Sequence, residues 1–422
     1  MRTSRRQFMG GSFAALLQAA ETNEKIREAR EAALAVLKPS QKDLQHGLEL
    51  HAQALVVESY GFSPRSAIDG AAMRQAIEAG ANNRELEDLY TEMLLARVAD
   101  DPLQRQEYLD AWSASGVTCV LQNAGEEGSA PLRLLRRLAH FTYLTDVLRD
   151  HVTLAATPGD IEAAKKHGRR CLYFTGNGVP LSQEWNSVAE ELGYIRLFFQ
   201  LGIRMMHLTY NRRNVLGDGC AEPADAGISD LGHAAIAEMN RVGVIVDVAH
   251  SGWRTSLEAA KASSKPVVAS HSGAVGVHRH IRAKPDEVIR AIADSGGYVG
   301  VYSVTSFLGR SGDLNAMIDH IEYLVRRFGA DHVAIGTDLA YIPRSAEAEY
   351  RKAGPSPKAR PRYEALWPAG ALDSKSHPSL AWTNWPMITV GMVQRGIPDT
   401  DITKILGGNV MRVARAVFPK TG

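Results

Sequence analysis

Two histidines stand where a metal centre or an acid–base pair can be built. His250 follows the apolar, β-branched run Val244–Val248, and His271 follows Pro266–Ala269. Between them, Ser251–Ser264 has the spacing of one amphipathic helix. This is a βαβ unit, which brings both strand ends to one edge of a parallel sheet. Two imidazoles at such an edge can share a metal ion. A further strand-like run, Val333–Thr337, is followed by Asp338, suited to be a third ligand or the base for a bound water. Arg282 follows the second histidine and can clamp a carboxylate, or else pair with Asp286 at the surface. A lone strand-end histidine is more often structural than a ligand. The joint placement of these residues on strand ends is what points to chemistry.

The positioning elements follow a rhythm of short apolar runs and helical segments. Leu55–Glu58, Val117–Gln122, Cys171–Thr175, Ile203–Thr209, Val244–Val248, Pro266–Ala269, Tyr298–Tyr302 and Val333–Thr337 predict eight strands. The fold class is therefore α/β, a (β/α)8 barrel, with a doubly wound open sheet as the competing architecture. Barrel chemistry lies at the C-terminal strand ends, which adds Tyr60, Gly176-Asn177, Tyr210-Asn211 and Tyr302 to the candidates. Residues 21–50 read as a helical leader, with a charged helix over Glu21–Leu37 stopped by Pro39, and residues 51–422 as the barrel. A long helical insertion spans roughly 68–113, and Tyr341–Ala381 reads as a long loop over the catalytic end.

Bulk properties narrow the partners. A formal charge of +1 across 422 residues predicts no nucleic-acid partner, and no GxGxxG or Walker loop stands in a strand–helix context. Cys119, Cys171 and Cys220 form neither a disulfide framework nor a thiolate metal site. Ser4-Arg5-Arg6-Gln7-Phe8-Met9 resembles the twin-arginine export motif, and residues 1–20 read as a signal segment. That predicts a periplasmic protein, the alternative being a cytoplasmic one with an arginine-containing tail. No later run approaches the roughly 20 apolar residues of a membrane span.

The chain resembles the membrane dipeptidase (renal dipeptidase, peptidase M19) family from about Leu55 to Phe418. The resemblance rests on Leu208-Thr209-Tyr210-Asn211, Glu238–Arg241 leading to Val246–Ser251, Pro266–Ser272, His280–Arg282, Gly336-Thr337-Asp338 and Leu406–Val413. It implies a barrel with a binuclear zinc centre that cleaves dipeptides bearing a free carboxylate, and often a homodimer. By the same resemblance, His250 and His271 fall on the two histidine ligands of one zinc. Arg282 falls on the carboxylate-binding arginine, and Asp338 on the aspartate that orients the nucleophilic water. Other positions depart. The family's first strand ends in Asp-x-His-x-Asp, and here the segment is Glu58-Ser59-Tyr60-Gly61-Phe62. Gly176 takes the place of the bridging glutamate, and Tyr210 that of a carbonyl-contacting histidine.

Neutral Tyr and Phe cannot replace His and Asp as ligands, and two ions without a bridging carboxylate repel each other. At most one zinc ion is expected, held by His250 and His271. Tyr60 and Tyr210 then fill the vacated space as substrate-binding phenols, with Tyr210 also an oxyanion donor. The leading reading is a dipeptidase-like hydrolase with Asp338 as base. The alternatives are a non-hydrolytic tailoring enzyme, such as a tautomerase for an exported small metabolite, and a binding protein without activity.

Overall fold

The apolar runs form the eight expected strands. They are β1 (Val57–Gly61), β2 (Cys119–Asn123), β3 (Arg170–Gly176), β4 (Ile203–His207), β5 (Ile245–Asp247), β6 (Val267–Ala274), β7 (Val299–Val301) and β8 (Val333–Ile335), paired in parallel in that order. The computed structural model describes residues 23–125, 130–354 and 376–419. The export segment and residues 355–375 of the expected loop lie outside these. First and last strands meet at their C-terminal ends, where the Asp338 N–H donates to the Tyr60 carbonyl at 3.3 Å and the Phe62 N–H to the Leu339 carbonyl at 3.2 Å. The result is a nearly closed (β/α)8 barrel rather than an open sheet.

Strand alternation sorts the side chains into two layers. Cys119 and Leu121, Cys171 and Tyr173, Met205, Ile245 and Val268 fill the barrel interior. Val120, Leu172, Phe174, Val246, Val267 and Ala269 face outward, against the helical ring. The C-terminal helix Asn409–Val417 adds Val410, Met411, Val413 and Ala414 to the interior cluster. Asn409 fixes it by donating to the Ala330 and Val333 carbonyls at 2.7 and 2.8 Å.

Two strands break the alternation at the C-terminal rim. In β6, Ala269 pairs with Val299 but Ser272 with Val301, so β6 carries one extra residue. In β1, Glu58 pairs with Val120 and Gly61 with Gln122, another one-residue slip. Such bulges re-aim side chains. Without its bulge, β6 would place His271 on the outward face of Ala269. With both bulges, the rings of Tyr60 and His271 lie parallel, their centroids 3.9 Å apart.

The helices end where the sequence places their caps. The Ser229 hydroxyl accepts the Gly232 N–H at 3.0 Å, and Gly243 closes Asp230–Val242 with a left-handed φ of 102°. The leader forms two helices, Glu24–Leu37 and Gln41–Gln53. Three features depart from expectation. Val152–Leu154 and Ala283–Lys284 add short strands beside β3 and β6. Ala346–Ala353 is a helix inside the segment expected to be loop, supported by i,i+3 and i,i+4 pairs such as Glu349–Lys352. Among the described residues, no helix is long and apolar enough to cross a membrane.

One buried acid ties β1 to β8. Glu58 is fully buried and accepts the Thr337 N–H at 3.1 Å, the Thr337 hydroxyl, and the Trp382 indole N–H at 2.7 Å. Burial pushes its carboxyl up to about 8, from an ordinary 4.5, against the opposing pull of these donors. The folded state therefore holds the proton more tightly than the unfolded chain. This contribution to stability is complete below about 4.5 and lost as pH rises through about 8. Urea midpoints measured across that range should fall with pH in the wild type, and Glu58→Gln should flatten the decline.

Candidate active site

β4, β5 and β6 each deliver one imidazole to the same point. His207, two residues beyond the inward Met205, ends β4. His250 lies just beyond β5, and His271 sits on the bulge of β6. All three are buried, and one ring nitrogen from each lies within 4.8 Å of the others. No other metal-ligating group of three side chains occurs among the described residues.

Polar neighbours set the tautomers of two of these rings. Asn211 Oδ1 lies 2.6 Å from His250 Nδ1, so that nitrogen carries the proton and Nε2 the lone pair. Asn211 reaches this position from a left-handed turn, with φ at 58°, which Asn tolerates better than most residues. His271 Nε2 is 2.9 Å from His250 Nε2, and His271 Nδ1 is 2.9 Å from Ser270 Oγ. Burial, and then the Arg282 charge, hold both imidazoles well below their ordinary range, so both are neutral.

A buried carboxylate stands behind the cluster. Asp247 Oδ1 accepts the Ala249 N–H at 2.9 Å and the Ser270 N–H at 3.0 Å. Its Oδ2 lies 2.7 Å from His207 Nε2, off line for a hydrogen bond, so His207's nitrogens and Oδ2 have no aligned partner. Burial pushes the Asp247 carboxyl up, but His207 and the Ser270 hydrogen bonds outweigh it and hold the acid below its usual range.

The remaining candidates surround this core. Arg282 is buried, not at the surface; Asp286 pairs with Arg327 instead. Its guanidinium donates to the Ala249 carbonyl and, at 3.3 Å, to the His271 carbonyl, and Nη2 lies 3.2 Å from His250 Nε2. The fork expected to hold a substrate carboxylate is thus turned onto protein acceptors. Asp338 sits beyond β8 with φ at 60°. Burial raises its carboxyl to about 6, with Arg282, His207 and Arg65 pulling it back. Tyr210 stacks on His250 with centroids 4.2 Å apart. Tyr60 is buried and donates its hydroxyl to Asn177 Oδ1.

Three residues here escape a reading of strand ends alone. His207 and Asp247 were hidden inside apolar runs, and Arg65 lies in the loop after β1. A period-two reading of Met205 and His207 carries the first signal. The Arg65 guanidinium stacks on Phe62 at 4.4 Å and hydrogen-bonds to no described residue.

Known proteins place the chain. The membrane dipeptidases, peptidase family M19, match residues 72–348. The chain belongs to that family. Dipeptidase verJ of Clonostachys rogersoniana is 26% identical over 275 residues, covering 64% of this chain and 61% of that one. Dipeptidase tcpJ of Claviceps purpurea is 25% identical, covering 65% and 57%. The chain thus spans 57–61% of the length of these two curated relatives. An amidohydrolase from Pseudomonas aeruginosa has the same architecture, with a TM-score of 0.65, 27% identity, and coverage of 88% of this chain and 99% of that one.

Against that family background, the donor set fits a single metal ion. Two neutral imidazoles and an unpartnered third suit a borderline cation. A second ion has no comparable set, because Tyr60, Phe62 and Gly176 bring no anionic ligand. The Tyr60 ring stacked on His271 fills the space beside the pair. Tyr60→Phe should cost about 1 kcal/mol, the loss of the Asn177 hydrogen bond, whereas Tyr60→Ala should cost about 3–5 kcal/mol through the cavity, as read from denaturant midpoints.

Proposed function

We propose that the protein hydrolyses a small dipeptide, or a related amide with a free carboxylate, at a centre holding one zinc-class ion. The observation that carries this reading is the convergence of three buried imidazoles at one barrel mouth with the acid Asp338. His250 and His271 would hold the ion, which when bound supplies Lewis acidity towards water and an amide carbonyl. Asp338 accepts the proton of the attacking water and returns it to the departing amine nitrogen as the C–N bond breaks, giving a carboxylate and an amine. The Tyr210 phenol is the candidate donor to the carbonyl oxygen. The Arg65 guanidinium, without a hydrogen-bond partner among the described residues, supplies the bidentate contact to the substrate carboxylate, and the buried Arg282 charge adds to the attraction. The Arg5-Arg6 segment supports export to the periplasm as a folded protein.

A second reading has its own support. The Arg282 guanidinium occupies the His250 lone pair at 3.2 Å, which suits metal-free acid–base work such as tautomerisation. Turnover of L,L- and L,D-dipeptides by metal-loaded protein, lost on chelation, supports hydrolysis; conversion of a substrate without bond cleavage by chelated protein supports the alternative.

Two measurements test the assigned roles. Asp338 must be ionised to act as base, so kcat/KM should climb as pH rises through about 6, and Asp338→Asn should lower it about 10²–10⁴-fold. Arg65→Gln should raise KM about 10–100-fold for a dipeptide and leave its C-terminal amide unaffected, the range expected for a charge-assisted hydrogen bond.

A further inference from the structure

The family pattern leaves a question of ligand count. Two histidines alone do not complete a site, and a catalytic zinc centre ordinarily has three protein ligands. The residues that complete it elsewhere in the family are replaced here by Tyr60, Phe62 and Gly176. His207 lies on none of those positions. It enters from the neighbouring strand, since β4 pairs with β3 through Met206 and Gly176. Its ring meets both others edge-on, with centroids 5.2 Å from His250 and 5.4 Å from His271. Both of its nitrogens are buried and lack an aligned partner, an uncommon and costly state for an imidazole.

We propose that His207 is the third ligand of a one-ion, three-nitrogen centre with His250 and His271, and that Asp247 is the positioning carboxylate of His207. Asp247 is held rigidly on its Oδ1 by two backbone N–H groups, and it presents Oδ2 to His207 Nε2. A small rotation of the ring that brings the Nε2–H onto that oxygen would leave the lone pair on Nδ1 for the ion. This is the carboxylate–histidine arrangement that fixes the tautomer of a metal ligand. His250 Nε2 already carries its lone pair. His271 becomes a ligand by shifting its proton to Nδ1, where Ser270 Oγ accepts it. Two nitrogens bound to one tetrahedral zinc lie roughly 3.3 Å apart, so the 2.9 Å His250–His271 separation needs only a small opening and the widest pair, no more than 4.8 Å, a closure. The centre is thus rebuilt around one ion, with Tyr60 and Asn177 closing the space of a second.

This inference deepens the hydrolytic reading and rests on it for the use of the ion, so binding and turnover are measured separately. Full-length protein is stripped with a chelator and titrated with Zn2+ by calorimetry and with Co2+ by visible absorption, and melting temperatures are read with and without metal. Wild type should bind one ion per chain, with a raised Tm and Co2+ bands of a nitrogen-rich, low-coordinate site. His207→Gln should abolish the Tm rise, change the Co2+ bands and weaken binding by more than the 10–100-fold typical of an outer-partner loss. Asp247→Asn keeps the Oδ1 acceptor and should weaken binding by about 10–100-fold at unchanged stoichiometry; it decides the matter should His207→Gln not fold. Two ions per chain, no bound ion, or affinity untouched by both substitutions would overturn the proposal. Tight, His207-dependent binding without dipeptide turnover leaves the centre standing and removes the hydrolytic reading. Turnover with affinity indifferent to His207 and Asp247 does the reverse.

Discussion

The carboxylate of Asp247 is the contact on which the rest of the centre depends. It lies fully buried at the end of β5 inside the barrel, so its charge calls for protein donors. One oxygen takes the backbone N–H groups of Ala249 and Ser270, each the immediate neighbour of a histidine; the other faces His207. A single side chain thus sets the positions of three imidazoles on three strands. Leaving a buried polar group without its partner costs about 1–3 kcal/mol, more where the group is charged. That energy scale explains how a cluster with few hydrogen bonds of its own keeps a defined geometry.

The bulges in β1 and β6 complete that geometry. An uninterrupted strand puts every second residue on the same face, and a one-residue slip reverses the assignment. β6 uses this to keep Val267 and Ala269 in the helical interface while turning His271 inward. β1 does the same for Tyr60, whose ring then meets His271 face to face. Glu58 lies beside the β1 slip and grips Thr337, the residue before Asp338. The rim that carries the acid and the rim that carries the imidazoles are therefore joined through buried polar contacts.

The fold was legible because strands and helices announce themselves locally. β-branched runs, the Ser229 and Gly243 caps and Pro285 at a helix start each act through their own neighbours. His250, His271 and Asp338 were legible for a related reason: they follow the ends of such runs, and barrels place strand ends together. His207 and Asp247 were not, because β4 leaves the sheet at His207, two residues before its apolar run ends. A polar residue inside an apolar run reads as an exception until the third dimension shows what faces it. Arg282 was legible as a charge but not in its direction. Its burial and its turn towards Ala249 and His271 depend on the short strand Ala283–Lys284, two residues too few to show a period.

The charge balance at His250 governs how the site can be used. Its Nε2 has one lone pair and three claimants: the His271 imidazole, the Arg282 guanidinium and any bound cation. The first two coexist here, at 2.9 and 3.2 Å. A dication and a guanidinium about 4 Å apart would repel by roughly 8 kcal/mol at an effective dielectric of 20, more than a single hydrogen bond offsets. Either the guanidinium swings away as the ion enters, or an anion comes between them. In the proposed reaction a substrate carboxylate would be such an anion, and the inward Arg282 would then couple cation binding to carboxylate binding. In the proposed reaction the same arginine would favour a substrate that carries a carboxylate.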